Sequence, residues 1–329
     1  MSKIKVGFIG AGGIAQAHLS NIFRNEYAEI AAVCDLSPER AHEAASKYRV
    51  PFYTNNDEML ESEDLQALFL CVPPFAHTNI EEKAAARGIH LMVEKPVGLD
   101  LMEAMAREQA ITDSGIICAS GYCLRYLDTV RKAKSYLVGK QIAMVRAHYV
   151  TKFVETPWYR KMAQSGGQLV EQATHTVDLI RYLAGEIHTV FANQSLTVMG
   201  DIPGIDIPDS TSLSFKLESG AVGSLDCTFT QTDHSSGVEL LGRGFRVVIN
   251  GNALHIHDEN GTETYENDMD FYQEQDDAFI EAIRTNDRSL ILSPYSEGVR
   301  TLAVTLAANR SAQSGEVQRL QEFMLTGQS

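Results

Sequence analysis

Short apolar runs separated by amphipathic stretches fill the first part of the chain. Ile4–Ile9, Ile30–Cys34, Ala67–Val72, His90–Val93 and Ile116–Ala119 are apolar on consecutive positions rather than on alternate ones. A parallel strand covered on both faces produces that pattern, so each run is predicted to be one. Between them, Pro38–Tyr48 opens on a proline and Ile80–Arg87 stops at Gly88, the usual punctuation of helices. Strand and helix in alternation predict an α/β, doubly wound parallel sheet over residues 1–120, with ligands bound at the carboxyl ends of its strands.

The pattern changes from residue 121 onward. Helices are predicted over Asp128–Leu137 and Leu169–Ala184, the second stopped by Gly185, with an alternating strand at Ile142–Val150. Six further strand-like runs follow: Thr189–Val198, Ser210–Leu217, Ala221–Phe229, Val238–Leu241, Phe245–Ile249 and Leu254–His257. Turns such as Glu218-Ser219-Gly220 and Asn250-Gly251-Asn252 favour antiparallel hairpins. Two closing helices, Phe271–Arg284 and Tyr295–Ala312, complete an α+β domain over residues 121–329. Its core is predicted to be one large, mostly antiparallel open sheet with helices on one face. The last helices are free to pack back on the first domain.

Composition narrows the function classes. A length of 329 residues suits two cores, and 44 % hydrophobic with 22 % charged residues is ordinary for a globular chain. A formal net charge of −15 argues against a nucleic-acid partner, which needs a basic surface. The five cysteines show no CxxC spacing and sit largely in apolar surroundings, as buried free thiols do in a reducing compartment. The first strand begins at Ile4, leaving no room for a charged and then apolar leader, and no run is long enough to cross a bilayer. A cytoplasmic protein without a membrane partner is therefore expected.

The first strand ends in Gly10-Ala11-Gly12-Gly13-Ile14-Ala15, and a second run closes on Asp35 about twenty residues further on. Each part answers a demand of a bound dinucleotide. Gly10 permits the turn, Gly12 lacks the Cβ that would block a pyrophosphate, and Ala15 lets the helix approach the sheet. The helix start offers N–H groups to the phosphates, and Asp35 is placed to accept from the adenosine ribose. Asp35 favours NAD over NADP by repelling a 2′-phosphate. Arg40 keeps NADP open, since an arginine near this loop can pair with that phosphate.

Three more places carry candidate chemistry. Lys95, in Glu94-Lys95-Pro96 after the strand His90–Val93, is pushed out of helical geometry by the proline. It is either an acid or base at the ligand-binding edge or a surface Lys-Pro pair ending a strand. Val72-Pro73-Pro74-Phe75-Ala76-His77 is either a loop along the cofactor or a rigid turn with an exposed histidine. On the predicted helix Leu169–Ala184, Glu171, His175, Asp178 and Tyr182 share one face opposite the apolar one. That face is either solvated or lines a cleft with His175 as proton carrier. His255 and His257 alternate in one strand without an acidic or cysteine partner at metal-binding spacing, so no metal site is expected.

With these residues the chain resembles the Gfo/Idh/MocA family of nicotinamide-dependent oxidoreductases over nearly its whole length. The resemblance rests on the glycine turn, Cys34-Asp35 with Pro38-Glu39-Arg40-Ala41, Pro73 to His77, Glu94-Lys95-Pro96, Gly166-Gly167-Gln168-Leu169-Val170-Glu171, and His175 to Asp178. It implies that Lys95, held by a cis peptide to Pro96, and His175 face the substrate beside the nicotinamide. It also implies that the open sheet of the second domain forms the contact of a homodimer or homotetramer. Glu171 stands where many members carry aspartate, and Ala173 where many carry glycine. Arg125-Tyr126 and Trp158-Tyr159 match positions that touch substrate or nicotinamide, and Asp178 is grouped with the substrate side.

The resulting expectation is hydride transfer between NAD(P) and a carbinol or carbonyl carbon of a sugar, inositol or related small polyol. Lys95 or His175 would move the hydroxyl proton, and Glu171 would orient His175. Cofactor contacts are assigned to Gly10, Gly12, Gly13, Ile14, Ala15, Asp35, Arg40, Val72, Pro73, His77, Glu94 and Lys95. Two rivals stay open: a glycosidase that uses tightly bound NAD for a transient oxidation, and a non-catalytic NAD(P)-binding sensor.

Overall fold

Six parallel strands form the first sheet of the computed structural model, which describes residues 3–327. They are β1 (Ile4–Ile9), β2 (Ala28–Cys34), β3 (Phe52–Tyr53), β4 (Ala67–Leu70), β5 (His90–Val93) and β6 (Cys118–Ser120), in the order β3-β2-β1-β4-β5-β6. All four residues of β4 are buried, which is why its run is apolar at every position. Strand order reverses between β1 and β4. In such a sheet that switch point is where a crevice opens for a ligand.

The chain divides into two compact units, and it crosses between them more than once. The first takes the residues up to Gly98, Glu103–Tyr126 and Asp270–Val299, so the helix Phe271–Thr285 belongs with the parallel sheet. Phe279 of that helix meets Phe69 edge-on at 5.6 Å, and Phe69 stacks on Phe8 at 4.9 Å. All three rings are fully buried, each stabilising the unit by roughly 1.5–3 kcal/mol relative to exposure.

The second unit takes Leu99–Met102, Leu127–Met269 and the residues from Arg300 onward. Its sheet has nine strands: β7 (Ile142–Val150), β8 (Ile187–Ser195), β9 (Ser210–Leu217), β10 (Val222–Thr228), β11 (Ser235–Gly242), β12 (Phe245–Asn250), β13 (Ala253–Asp258), β14 (Gly261–Glu266) and β15 (Gln318–Arg319). Their order is β14-β13-β12-β11-β7-β10-β9-β8-β15, antiparallel throughout except for the parallel pair β10 and β7. Thr211, Leu213, Phe215 and Leu217 of β9 point inward while Ser212, Ser214 and Lys216 point outward, as a sheet covered on one face requires. The helix Thr174–Ala184 lies against β7 and β11 on the covered face. The edge strand β14 escaped the pattern reading because Gly-Thr-Glu-Thr-Tyr-Glu has no apolar face. His255 and His257 of β13 bond across to Thr264 and Thr262 of this strand, at 3.0 and 2.8 Å.

One predicted helix is interrupted. The stretch Leu169–Ala184 forms two pieces, Gln168–Glu171 and Thr174–Ala184. At the break the Ala173 N–H reaches back five residues to the Gln168 carbonyl, which also accepts from Gln172. Such wide turns cluster at functional sites. The even four-residue spacing of Glu171 and His175 along one helix, assumed from the pattern, does not exist.

All five cysteines are buried and unpaired. Burial, with Asp35 nearby, pushes the Cys34 thiol up to about 12, so it stays protonated. No described helix is long and apolar enough to cross a membrane.

At the end of β1, Gly10 has a φ of 94° and a Cβ added there would lie 2.2 Å from the Cys71 carbonyl oxygen. Gly10→Ala is therefore expected to destabilise the chain by about 3 kcal/mol or more. Urea unfolding of the variant measures this, and an unchanged midpoint would contradict the contact.

Candidate active site

The glycine turn is tied to the ends of three strands. Gly10 donates its N–H to the Cys34 carbonyl at the end of β2 and abuts Cys71 just past β4. The next N–H, of Ala11, donates to Asp35 Oδ2 at 2.9 Å. Asp35 Oδ1 accepts from the Ser37 N–H at 2.8 Å and from Arg40 Nη2 at 2.7 Å. Burial pushes the Asp35 carboxyl up, but Arg40 and the two backbone N–H groups outweigh it and hold the group below its usual range. The Arg40 side chain is 58 % exposed and so can leave Asp35 for an incoming group.

These residues fit a dinucleotide. A Cβ on Gly12 or Gly13 would meet nothing within 4 Å, so the protein's own packing gives no reason for glycine there. The helix Gly13–Arg24 starts at Gly12 without a side-chain cap and without an acid in its first turn. That leaves its N–H groups and positive end for an anion. Ala15 is fully buried and Ile14 packs on the core, which seats the helix. Val72 and Pro73 are half-buried just beyond β4. His77 is not the exposed histidine of one of the two readings. Its side chain and that of Glu81 are fully buried, with Nδ1 2.7 Å from the carboxylate, and Arg107 holds its carbonyl.

Lys95 follows the carboxyl end of β5, next to β4 on the same edge, and its peptide to Pro96 is cis. Glu94 turns inward: only 5 % is exposed, and a Cβ on Gly121 would fall 2.7 Å from its carboxyl carbon. One oxygen of Glu94 accepts the Lys95 N–H at 3.0 Å, and the other lies 3.0 Å from His18 Nε2. His18, in the helix Gly13–Arg24, is completely buried, and its Nδ1 is 2.8 Å from both oxygens of Asp276. Asn21 donates to Asp276 as well.

A ring between two carboxylates that only accept donates from both nitrogens, as an imidazolium. Burial raises the Asp276 carboxyl, and the charge and hydrogen bonds of His18 and Asn21 work against that rise. Burial pushes this imidazolium down. Asp276 by charge and hydrogen bond, with Glu94 behind it, wins and raises His18 to about 10. Removing one member of such a buried group generally costs about 3–5 kcal/mol. Reading the sequence did not find this network.

In the second unit, Trp158 packs on Tyr159 with ring centroids 4.1 Å apart in the short turn Pro157–Arg160. Tyr159 and Glu171 line a small cavity with Phe153, Gln168 and Phe229. His175 is half-buried in the first turn of the helix Thr174–Ala184, just past the wide turn. Asp178 is only 1 % exposed and accepts from Thr301, so it lies inside the unit and not on a solvated face. Arg125, expected at the substrate, is 2 % exposed in the first unit, where it donates to the Leu292 carbonyl and to Glu297.

A family description of oxidoreductases with an NAD-binding Rossmann fold matches residues 4–122, and the Gfo/Idh/MocA C-terminal domain matches residues 138–257. The chain belongs to the Gfo/Idh/MocA family. It is an NAD(P)-dependent dehydrogenase or reductase acting on CH–OH groups. Among similar proteins, a 4-carboxy-2-hydroxymuconate-6-semialdehyde dehydrogenase of Sphingobium sp. is 28 % identical, over 85 % of this chain and 90 % of its own. A myo-inositol 2-dehydrogenase of Thermotoga maritima is 22 % identical over 98 % of this chain and all of its own. The solved structure of a levoglucosan dehydrogenase with NADH and L-sorbose shares the fold, with a TM-score of 0.86 at 22 % identity, covering 97 % of this chain and 99 % of that one.

A raised His18 makes stability depend on pH with a definite sign. Its contribution is complete below the unfolded value of 6.5 and is lost as pH rises through about 10. The unfolding free energy in urea should decline across that window. Nitrogen NMR should find both His18 ring nitrogens protonated at about pH 8. A neutral ring there contradicts the assignment.

Proposed function

We propose that the chain moves hydride between NAD and a carbinol carbon of a sugar, cyclitol or related small polyol. The observation that carries this reading is Lys95 at the carboxyl end of β5, on the sheet edge that also holds the glycine turn and Asp35. Relatives named for myo-inositol and levoglucosan support the polyol class. The semialdehyde in the third relative's name makes a panel, not a single compound, the right substrate test.

A bound nicotinamide supplies hydride exchange at its C4. The protein handles the proton. In oxidation, a neutral Lys95 Nζ or the His175 ring takes the hydroxyl proton and returns it in reduction. Glu171 orients His175, and Trp158 and Tyr159 contact the substrate. Asp35 selects NAD by accepting from the ribose hydroxyls, with Arg40 moving aside. The exposed face of the nine-stranded sheet, where Met144 and Val222 sit side by side, joins a second copy.

Sugars and inositols screened with NAD and NADP by nicotinamide absorbance should yield at least one polyol oxidised faster with NAD. Lys95→Ala should slow its turnover by roughly 10²–10⁴-fold with NADH affinity within about threefold of wild type. Near-normal turnover removes Lys95 from the chemistry. Asp35→Ala should bring the NADH and NADPH affinities closer together, and an unchanged ratio sinks the ribose assignment.

A further inference from the structure

The family motif around Lys95 is anchored by residues that no expectation assigned. The geometry points to His18 as a positioning residue for Lys95: clamped by Asp276 and Asn21, it holds Glu94, whose second oxygen holds the Lys95 backbone N–H. The importance of Lys95 rests on the function proposed above; the clamp itself does not.

The chain of contacts runs without a gap through one unit. Asn21 Nδ2 and His18 Nδ1 both reach Asp276 at 2.8 Å, His18 Nε2 reaches Glu94 Oε1 at 3.0 Å, and Glu94 Oε2 accepts the Lys95 N–H at 3.0 Å. The side chains of His18 and Asp276 are fully closed to solvent and that of Glu94 is 6 % exposed, so water cannot replace a broken contact cheaply. Gly121 leaves the space that the Glu94 carboxyl fills. The members sit on three separate supports. His18 and Asn21 ride on the helix that begins at the glycine turn, Asp276 on the helix Phe271–Thr285, and Glu94 just past β5. The clamp thus ties the helix behind the cofactor turn to the backbone of Lys95. A lysine that must meet one carbinol oxygen needs its own backbone fixed, because small misplacement is costly in rate.

Salt bridges of this kind can also be purely architectural, so the test must separate local aim from general stability. Hydrogen exchange at the Lys95 N–H, resolved by peptide fragmentation, reads the clamp without any substrate. In Glu94→Ala that amide should exchange about tenfold faster or more, with β1 amides unchanged. Glu94→Gln keeps an acceptor and should restore protection. His18→Gln, which leaves Glu94 in place, should loosen Lys95 by an intermediate factor, and it serves if Glu94→Ala does not fold.

With NAD and the polyol that the panel above shows to be turned over fastest, kcat should fall about tenfold or more in Glu94→Ala and recover in Glu94→Gln. The double variant with His18→Gln should be no slower than Glu94→Ala, because His18 acts only through Glu94. Unchanged Lys95 exchange in both Glu94→Ala and His18→Gln overturns the clamp. So does a loss that Glu94→Gln fails to restore, or additive losses in the double variant. Lys95→Ala separates the two claims: if it turns over normally, the proton-carrier reading fails, while the exchange results still decide the clamp.

Discussion

A single buried imidazolium with a carboxylate on each ring nitrogen is the interaction on which the first unit's chemistry hangs. A carboxylate buried alone is costly, and in the interior Glu94 meets the His18 ring. His18 makes the buried charge tenable, and Asp276 makes His18 tenable. The result is a fixed strand end from which Lys95 projects. The same helix that carries His18 begins at the glycine turn, so that turn and the Lys95 backbone share one support. Asp35 plays the parallel part on the other side of β1, holding the turn through the Ala11 N–H while Arg40 covers its outer oxygen.

Much of this was legible along the chain because it depends on neighbours in sequence. β1, β5, β7 and β9 begin and end where the apolar pattern begins and ends, since burial on one or both faces is what makes those runs apolar. The helix Pro38–Tyr48 is equally plain, with Ser37 capping the Arg40 N–H and proline in the first turn. The glycine turn, Asp35 and Lys95 could be named because each answers a ligand's demand at a fixed spacing.

What escaped depends on partners far away or on backbone detail without a residue signature. His18 and Asp276 lie 258 positions apart, and a histidine on a helix gives no hint that its two nitrogens are claimed by distant acids. The wide turn at Gln172–Ala173 contains neither glycine nor proline, so periodicity ran straight through it. Arg125 and Asp178 are buried, with Glu297 and Thr301 among their partners, and no spacing along the chain foretells either pairing. The exposed side chain that one reading gave His77 fails for a similar reason, because Glu81 one turn later draws the ring inside.

The central claim is that this chain passes hydride directly between a polyol carbon and NAD. It is tested most directly with sugars and inositols carrying deuterium on their carbinol carbons, incubated with the enzyme and NAD. The account predicts that at least one of them delivers its deuterium to C4 of the nicotinamide, found by mass spectrometry of the reduced cofactor. Reduced cofactor without deuterium, or no transfer from any compound across the panel, would contradict it.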